Sequence, residues 1–343
     1  MAEQPSQVDL VLEGGGVKGI GLVGALATLE EKGWVPACVA GTSAGAITAA
    51  LVAAGYRSQE LREMMLELDF HDFEDRGWED RLPLPGREVL SILKDKGIFE
   101  GDHLLDWMEE RLADKGVRTF ADLRDPEAGD DDRRRYRLRV IASDVTGRRL
   151  LALPQDAEHL GIDPDQLSVA LAVRMSMSIP LFFEPVAVKH GETGETHLIV
   201  DGGLLSNFPV WLFDSRGRPP RWPTFGLLLV EPEPRKSVAH RLDPGEGGGL
   251  IDFFKALGQT VLEAHDRLYV EQADFARTIP IPTLGVRTTE FDLVRNRALE
   301  LYESGRQAAE AFLKSWNTET YVARFRSGAA GPSRRESVSL DSG

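Results

Sequence analysis

The stretch from Val8 to Tyr56 constrains the fold of this chain more than any other, because it reads strand, glycine loop, helix, strand, serine turn, helix. Val8-Asp9-Leu10-Val11-Leu12 is an apolar run stopped by Glu13 and by Gly14, Gly15 and Gly16. Such a run suits a strand buried on both faces. Ile20 to Lys32 carries Ile20, Val23, Leu26 and Ala27 at helical spacing, and Gly33 follows where a helix C-cap glycine is expected. Ala37-Cys38-Val39-Ala40 is a second short strand that runs into Gly41-Thr42-Ser43-Ala44-Gly45, and Ala46 to Ala54 is an alanine-rich helix ended by Gly55. This order of elements belongs to an α/β fold.

G-x-S-x-G between a strand and a helix is the context of a nucleophile elbow: Gly41, Thr42, Ala44 and Gly45 let the backbone turn sharply and present the Ser43 hydroxyl. The plainer alternative is a glycine-rich turn in which Ser43 only caps the helix. The preceding loop favours the elbow. Gly14, Gly15, Gly16, Lys18 and Gly19 place unhindered backbone N–H groups at a helix N-terminus, where they can face a developing oxyanion. The same loop also fits the dinucleotide pattern G-x-G-x-x-G, but the ribose-binding acid expected at the end of the second strand is missing, since that strand ends Ala40-Gly41-Thr42-Ser43. Lys18 lies in no phosphate-loop pattern and reads as a solvated loop lysine or a charge near a site entrance.

Downstream, Ser58 to Leu68 reads as an amphipathic helix, and Asp102 is expected to cap a helix running through Ala113. Residues 57–120 therefore look like a helical insertion, either a lid over an acyl pocket or an ordinary packing layer. Asp125 to Arg135 holds three acids followed by Arg133, Arg134 and Arg135 and reads as a solvated, mobile loop. Arg137 to Ala142 and Arg148 to Leu153 are expected strands around a Thr146-Gly147 turn. Pro164 to Met175 reads as a helix, Phe183 to Val188 and Thr196 to Val200 as strands. Asp201-Gly202-Gly203 then puts an acid at the end of a buried strand before two glycines, a signal that fits a base as well as a simple turn. Thr224 to Val230 is a further strand, Leu250 to Val270 and Asp292 to Trp316 are helices, and residues 326–343 form a disordered tail.

Taken together and in order, GGGVKG, GTSAG, RMSMSIPLFFEPV and DGGLLSNFP resemble the patatin-like phospholipase family over about residues 8 to 320. The resemblance implies a three-layer α/β/α fold with a mainly parallel central sheet, one patatin-like domain over residues 1–325, and a Ser-Asp dyad that lacks histidine. Carried over position by position, Ser43 is the nucleophile and Asp201 the base. Gly14, Gly15, Gly16 and Gly19 form the oxyanion loop, Lys18 stands where relatives often have Arg or Lys, and Gly202 and Gly203 belong to the second motif. Val17 replaces the small residue usual after the third glycine, and DGG stands where many relatives have DGA.

The implied activity is hydrolysis of carboxylic esters in phospholipids or related acyl lipids. Two alternatives stand beside it: a general carboxylesterase with a Ser-His-Asp triad, for which only His240 and His265 follow Asp201, and an inactive lipid-binding relative. No Asp/Glu/His cluster has ligand spacing, so no metal or other cofactor is expected. A net charge of −15 argues against a broad nucleic-acid surface. The single cysteine, Cys38, excludes an internal disulfide, no secretory leader is legible, and no apolar run nears the ~20 residues of a bilayer span. A cytoplasmic protein is expected, with peripheral membrane contact left open. The residues specify neither an activating partner nor an oligomeric state.

Overall fold

The computed structural model describes residues 6–67, 101–129, 131, 133–180, 182–214, 221–231, 272–288, 290 and 293–325. Among the described residues, eight strands form one sheet in the hydrogen-bonded order β5-β6-β3-β2-β1-β7-β8, with β4 joining at β3. They are β1 (Ser6–Leu12), β2 (Trp34–Thr42), β3 (Leu138–Asp144), β4 (Arg149–Leu153), β5 (Val186–Lys189), β6 (Thr196–Asp201), β7 (Thr224–Val230) and β8 (Thr278–Pro282). The pairs β1–β2, β1–β7, β2–β3 and β7–β8 are parallel, and the pairs of β3 with β4 and β6 and of β5 with β6 are antiparallel. The sheet is thus mainly parallel at its centre, as the apolar strands of the N-terminal stretch require.

The helices are α1 (Ile20–Glu31), α2 (Ala44–Ala54), α3 (Ser58–Glu67), α4 (Asp102–Asp114), α5 (Val169–Ser176), α6 (Arg295–Ser315) and α7 (Thr318–Phe325), with one further turn at Gln272–Phe275. Leu10 and Leu12 join α1, α2, α4, α5 and α6 in the larger core, while Val11, with Cys38, Ala40 and Ile141, faces the other way and is covered by Phe208–Phe213. This alternation along β1 is the period-two pattern of a strand with both faces buried. Helix α6 lies so close on α1 that a Cβ on Gly305 would fall 1.9 Å from the Gly21 carbonyl oxygen, and a Cβ on Gly24 1.9 Å from that of Tyr302.

Several expectations are corrected. Residues 164–168 are not helical, because the Asp165 and Leu167 carbonyls accept hydrogen bonds from Ala121 and Phe120. The helix begins only after Ser168, whose hydroxyl accepts from the Leu171 N–H at 3.2 Å. Gly101, not Asp102, is the N-cap of α4. Phe183 is held in a turn by the Ile179 carbonyl, so β5 starts at Val186. The basic end of the 125–135 loop is solvated only in part: Arg135 is exposed, but Arg134 is buried, donates to Asp9 in β1 at 2.8 Å and stacks on Trp222, whose indole N–H also donates to Asp9. Strand β8 was missed. Residues 68–100 of the expected insertion, the whole of the expected 250–270 helix, and the 326–343 tail lie outside the described residues.

Candidate active site

Strand β3 assembles the site. One of its edges is taken by β4, so β2 and β6 share the other: β2 pairs through Thr42 with Ile141, and β6, running the opposite way, pairs through Asp201 with Ala142. The two strands therefore meet end to end, and the residues at their tips, Ser43 and Asp201, come together although 158 positions separate them.

Ser43 has φ 53° and ψ −129°, a conformation that costs a non-glycine residue about 1–3 kcal/mol. It makes the sharp turn between β2 and α2 and leaves only 5% of the residue exposed. Gly45 permits the turn, since a Cβ there would lie 2.4 Å from the Leu12 carbonyl oxygen. The Ser43 N–H donates to Ser176 Oγ at 2.9 Å, and the Ser43 hydroxyl sits 3.5 Å from the Met177 sulfur.

Asp201 closes β6 and is 1% exposed. Its Oδ1 accepts the Gly203 N–H at 2.7 Å, while Oδ2 is buried with no hydrogen-bond partner among the described residues. Burial pushes its pKa from 3.8 up to about 7, against the weaker pull of the Gly203 N–H and the neighbouring Ser43 hydroxyl. A carboxylate poised near neutrality with a vacant oxygen beside a hydroxyl is equipped to take a proton. Gly202 must be small: a Cβ on it would fall 2.3 Å from the Ile141 carbonyl oxygen.

The glycine loop packs against Ser43 from the β1 side. A Cβ on Gly14 would lie 2.9 Å from Cβ of Ser43 and 2.2 Å from Oδ1 of Asn207. Gly16 takes φ +54° and opens the 3-10 turn Gly16–Gly19, which leads into α1. The N–H groups of Gly15 and Gly16 donate no hydrogen bond among the described residues, whereas that of Val17 donates to the Thr288 carbonyl at 3.3 Å. Asn207 secures the loop: its side-chain amide donates at 3.2 Å to both Glu13 Oε1 and the Gly14 carbonyl, and Glu13 Oε2 accepts the Leu229 N–H. Lys18, read from the sequence as a solvated loop lysine or a charge near a site entrance, is only 6% exposed within the 3-10 turn, which sets aside the first of these.

Thus Ser43, Asp201, Gly14, Gly15, Gly16, Gly41, Thr42, Ala44, Gly45, Gly202 and Gly203 gather at one rim of the sheet. Sequence reasoning missed Ser176, Met177, Asn207 and Glu13. The first two lie in RMSMSIP and Asn207 in LLSNFP, but nothing in either pattern says which side chain turns inward. Of the histidines, His240 and His265 lie outside the described residues. His197 pairs with Asp144 at 2.8 Å, four residues before Asp201 on β6 and so roughly 13 Å along the strand.

With this arrangement in view, the family model described as patatin-like phospholipase matches residues 10–214, more than half of the chain. The chain belongs to the patatin-like phospholipase family. The matched residues of this patatin-like chain contain both strand tips and the glycine loop. An uncharacterized protein, YqhO of Bacillus subtilis, is 39% identical over 90% of this chain and 99% of its own length. Triacylglycerol lipase 4 of Saccharomyces cerevisiae is 31% identical over 32% of this chain and 12% of its own length. Triacylglycerol lipase ptl3 of Schizosaccharomyces pombe is 45% identical over 24% and 17%. Among solved structures, VipD from Legionella pneumophila superposes with a TM-score of 0.53 at 20% identity, over 92% of this chain and 67% of that one, which bears on the fold alone.

Proposed function

We propose that this protein is a lipid acyl hydrolase that cleaves carboxylic esters of phospholipids or related lipids through a Ser43–Asp201 dyad. The observation that carries the reading is the vacant Asp201 Oδ2, buried and proton-avid, where β6 abuts the strained turn at Ser43. Family membership and the partial likeness to two triacylglycerol lipases support ester hydrolysis on a lipid.

Ser43 Oγ attacks the ester carbonyl carbon as its proton passes to the carboxylate of Asp201, the acid that neighbours the Ser43 hydroxyl. The carbonyl oxygen becomes an oxyanion held by the Gly15 and Gly16 N–H groups and by that of Ala44 at the N-terminus of α2. The intermediate collapses, the C–O bond to the alcohol breaks, and Asp201 returns the proton to the departing oxygen. Water then attacks the acyl-enzyme with Asp201 again accepting a proton, and Ser43 leaves as the hydroxyl.

The test is fluorophosphonate labelling with peptide mapping, combined with hydrolysis of a phospholipid and triacylglycerol panel by wild type, Ser43→Ala, Asp201→Asn, His240→Ala and His265→Ala. Label on Ser43 and loss of turnover by about 10²–10⁴-fold in Asp201→Asn are expected, with most activity kept in both histidine variants. A folded histidine variant as inactive as Ser43→Ala would replace the dyad with a triad.

A further inference from the structure

The end of α5 touches both halves of the site. The Ser43 N–H donates to Ser176 Oγ, and the Ser176 hydroxyl donates onward to the Ile141 carbonyl at 2.6 Å. That carbonyl belongs to the β3 residue that faces Thr42, and it also lies directly under Gly202. Two residues on, the Ser178 carbonyl accepts the Asp201 N–H at 2.9 Å. Between them, Met177 places its sulfur against the Ser43 hydroxyl. Arg174 braces the segment, donating to Ser178 Oγ at 2.6 Å and to the Glu184 carbonyl at 3.0 Å.

We propose that Ser176 is a positioning residue for Ser43, its hydroxyl anchoring the strained Ser43 backbone to β3 so that the Ser43 Oγ stays within reach of Asp201. The inference rests on reading Ser43 as the nucleophile. Its physical basis is that the Ser43 conformation is unfavourable on its own and persists only where the surroundings over-determine it. The Ser43 N–H points at Ser176 and so takes no part in holding an oxyanion; its work is structural. Ser176 is wholly buried, so no water can take the place of its hydroxyl without a cavity. Replacing it with alanine strands one donor and one acceptor and frees the elbow to relax. Displacements of about 1 Å at a reacting group cost on the order of 10²-fold in rate.

The experiment compares the full chain with Ser176→Ala, Ser176→Thr and Ser176→Cys on a soluble p-nitrophenyl ester across pH, with fluorophosphonate labelling rates measured beside it. The expected result for Ser176→Ala is a fall in kcat of about 10- to 100-fold with KM within about threefold. The acidic limb of the pH profile should not move, because it reports Asp201, and labelling of Ser43 should slow in proportion. Threonine, which keeps the hydroxyl, should restore most of kcat; cysteine, a weak donor and acceptor, should not. Should the alanine variant fail to fold, the threonine and cysteine pair decides the matter, since they are similar in size and differ in hydrogen bonding. A kcat within twofold of wild type for folded Ser176→Ala or Ser176→Cys, a loss confined to KM, or a shifted acidic limb overturns the proposal. Failure of the underlying reading looks different: Ser43→Ala would stay active and the label would sit elsewhere.

Discussion

Replacing Asp201 with asparagine should make the protein more stable as well as inactive, and by an amount that depends on pH. In the folded chain the carboxyl holds its proton up to about pH 7, whereas in the unfolded chain it releases it near 3.8. Between those values the folded state binds more protons, so the unfolding free energy falls as pH rises and levels off above 7. At ~1.4 kcal/mol per pH unit, the buried charge costs the wild type about 4 kcal/mol at pH 8, of which about 2 to 3 kcal/mol accrues between pH 5 and pH 7. Asparagine has nothing to ionise, and its side-chain oxygen can still accept the Gly203 N–H. The stability of Asp201→Asn relative to wild type should therefore grow by about 2 to 3 kcal/mol from pH 5 to pH 8. Urea denaturation of both proteins at the two pH values measures it, and comparing the variants cancels every other titration, including that of Asp9, which burial pushes up to about 6. A difference that is flat with pH, or that shrinks toward pH 8, would show that Asp201 is not held protonated by burial and would refute the reasoning.

Three further outcomes are expected. Turnover of a neutral soluble ester should drop about tenfold per pH unit below about pH 7, as Asp201 takes up its proton, and a flat kcat/KM from pH 5 to 8 would remove Asp201 as base. Gly14→Ala, whose methyl would press on Asn207 and Ser43, should lose about 10²-fold or more in kcat while its circular dichroism stays unchanged; near-normal turnover would mean that the loop does not serve the oxyanion. Hydrolysis of the soluble ester should survive a calcium chelator, because the proposed Ser43–Asp201 proton transfer and backbone N–H donors call on no cation; a loss restored by calcium would contradict the proposed chemistry.

The N-terminal stretch was legible because its signals are local. An apolar run ended by glycines gave β1, and alanine content with Gly55 gave α2, each within a few residues of its bounds in the structure. Where the reading failed, a distant partner had decided the outcome. Residues 164–168 carry helical composition, yet Phe120 and Ala121 claim their carbonyls. Arg134 sits in a charged run that composition assigns to solvent, and only the approach of Asp9 and Trp222 draws it inside. Strand β8 reads Thr-Ile-Pro-Ile-Pro, and its prolines argue against a strand; they are tolerated because, among the described residues, β8 lies at the edge of the sheet with β7 on one side only. At the site, Ser43 was visible because its turn lies within five residues. Asp201 was visible only as an acid before two glycines. What joins them is the head-on meeting of β2 and β6 on β3, a fact of topology that no spacing in the sequence encodes.

The family match stops at residue 214, but the fold does not. Strand β7 covers the open edge of β1, Leu229 packs where a Cβ of Gly15 would be, and Thr288 supplies the carbonyl that Val17 leans on. A polypeptide cut at 214 would keep both Ser43 and Asp201 and still expose a bare strand edge beside an unsupported glycine loop, an invitation to edge-to-edge aggregation. For anyone trimming this chain for crystals or fusing it to another protein, the smallest unit worth making therefore takes in β7, Thr288 and the α6 that lies against α1, and the boundary drawn by sequence likeness falls inside the folding unit.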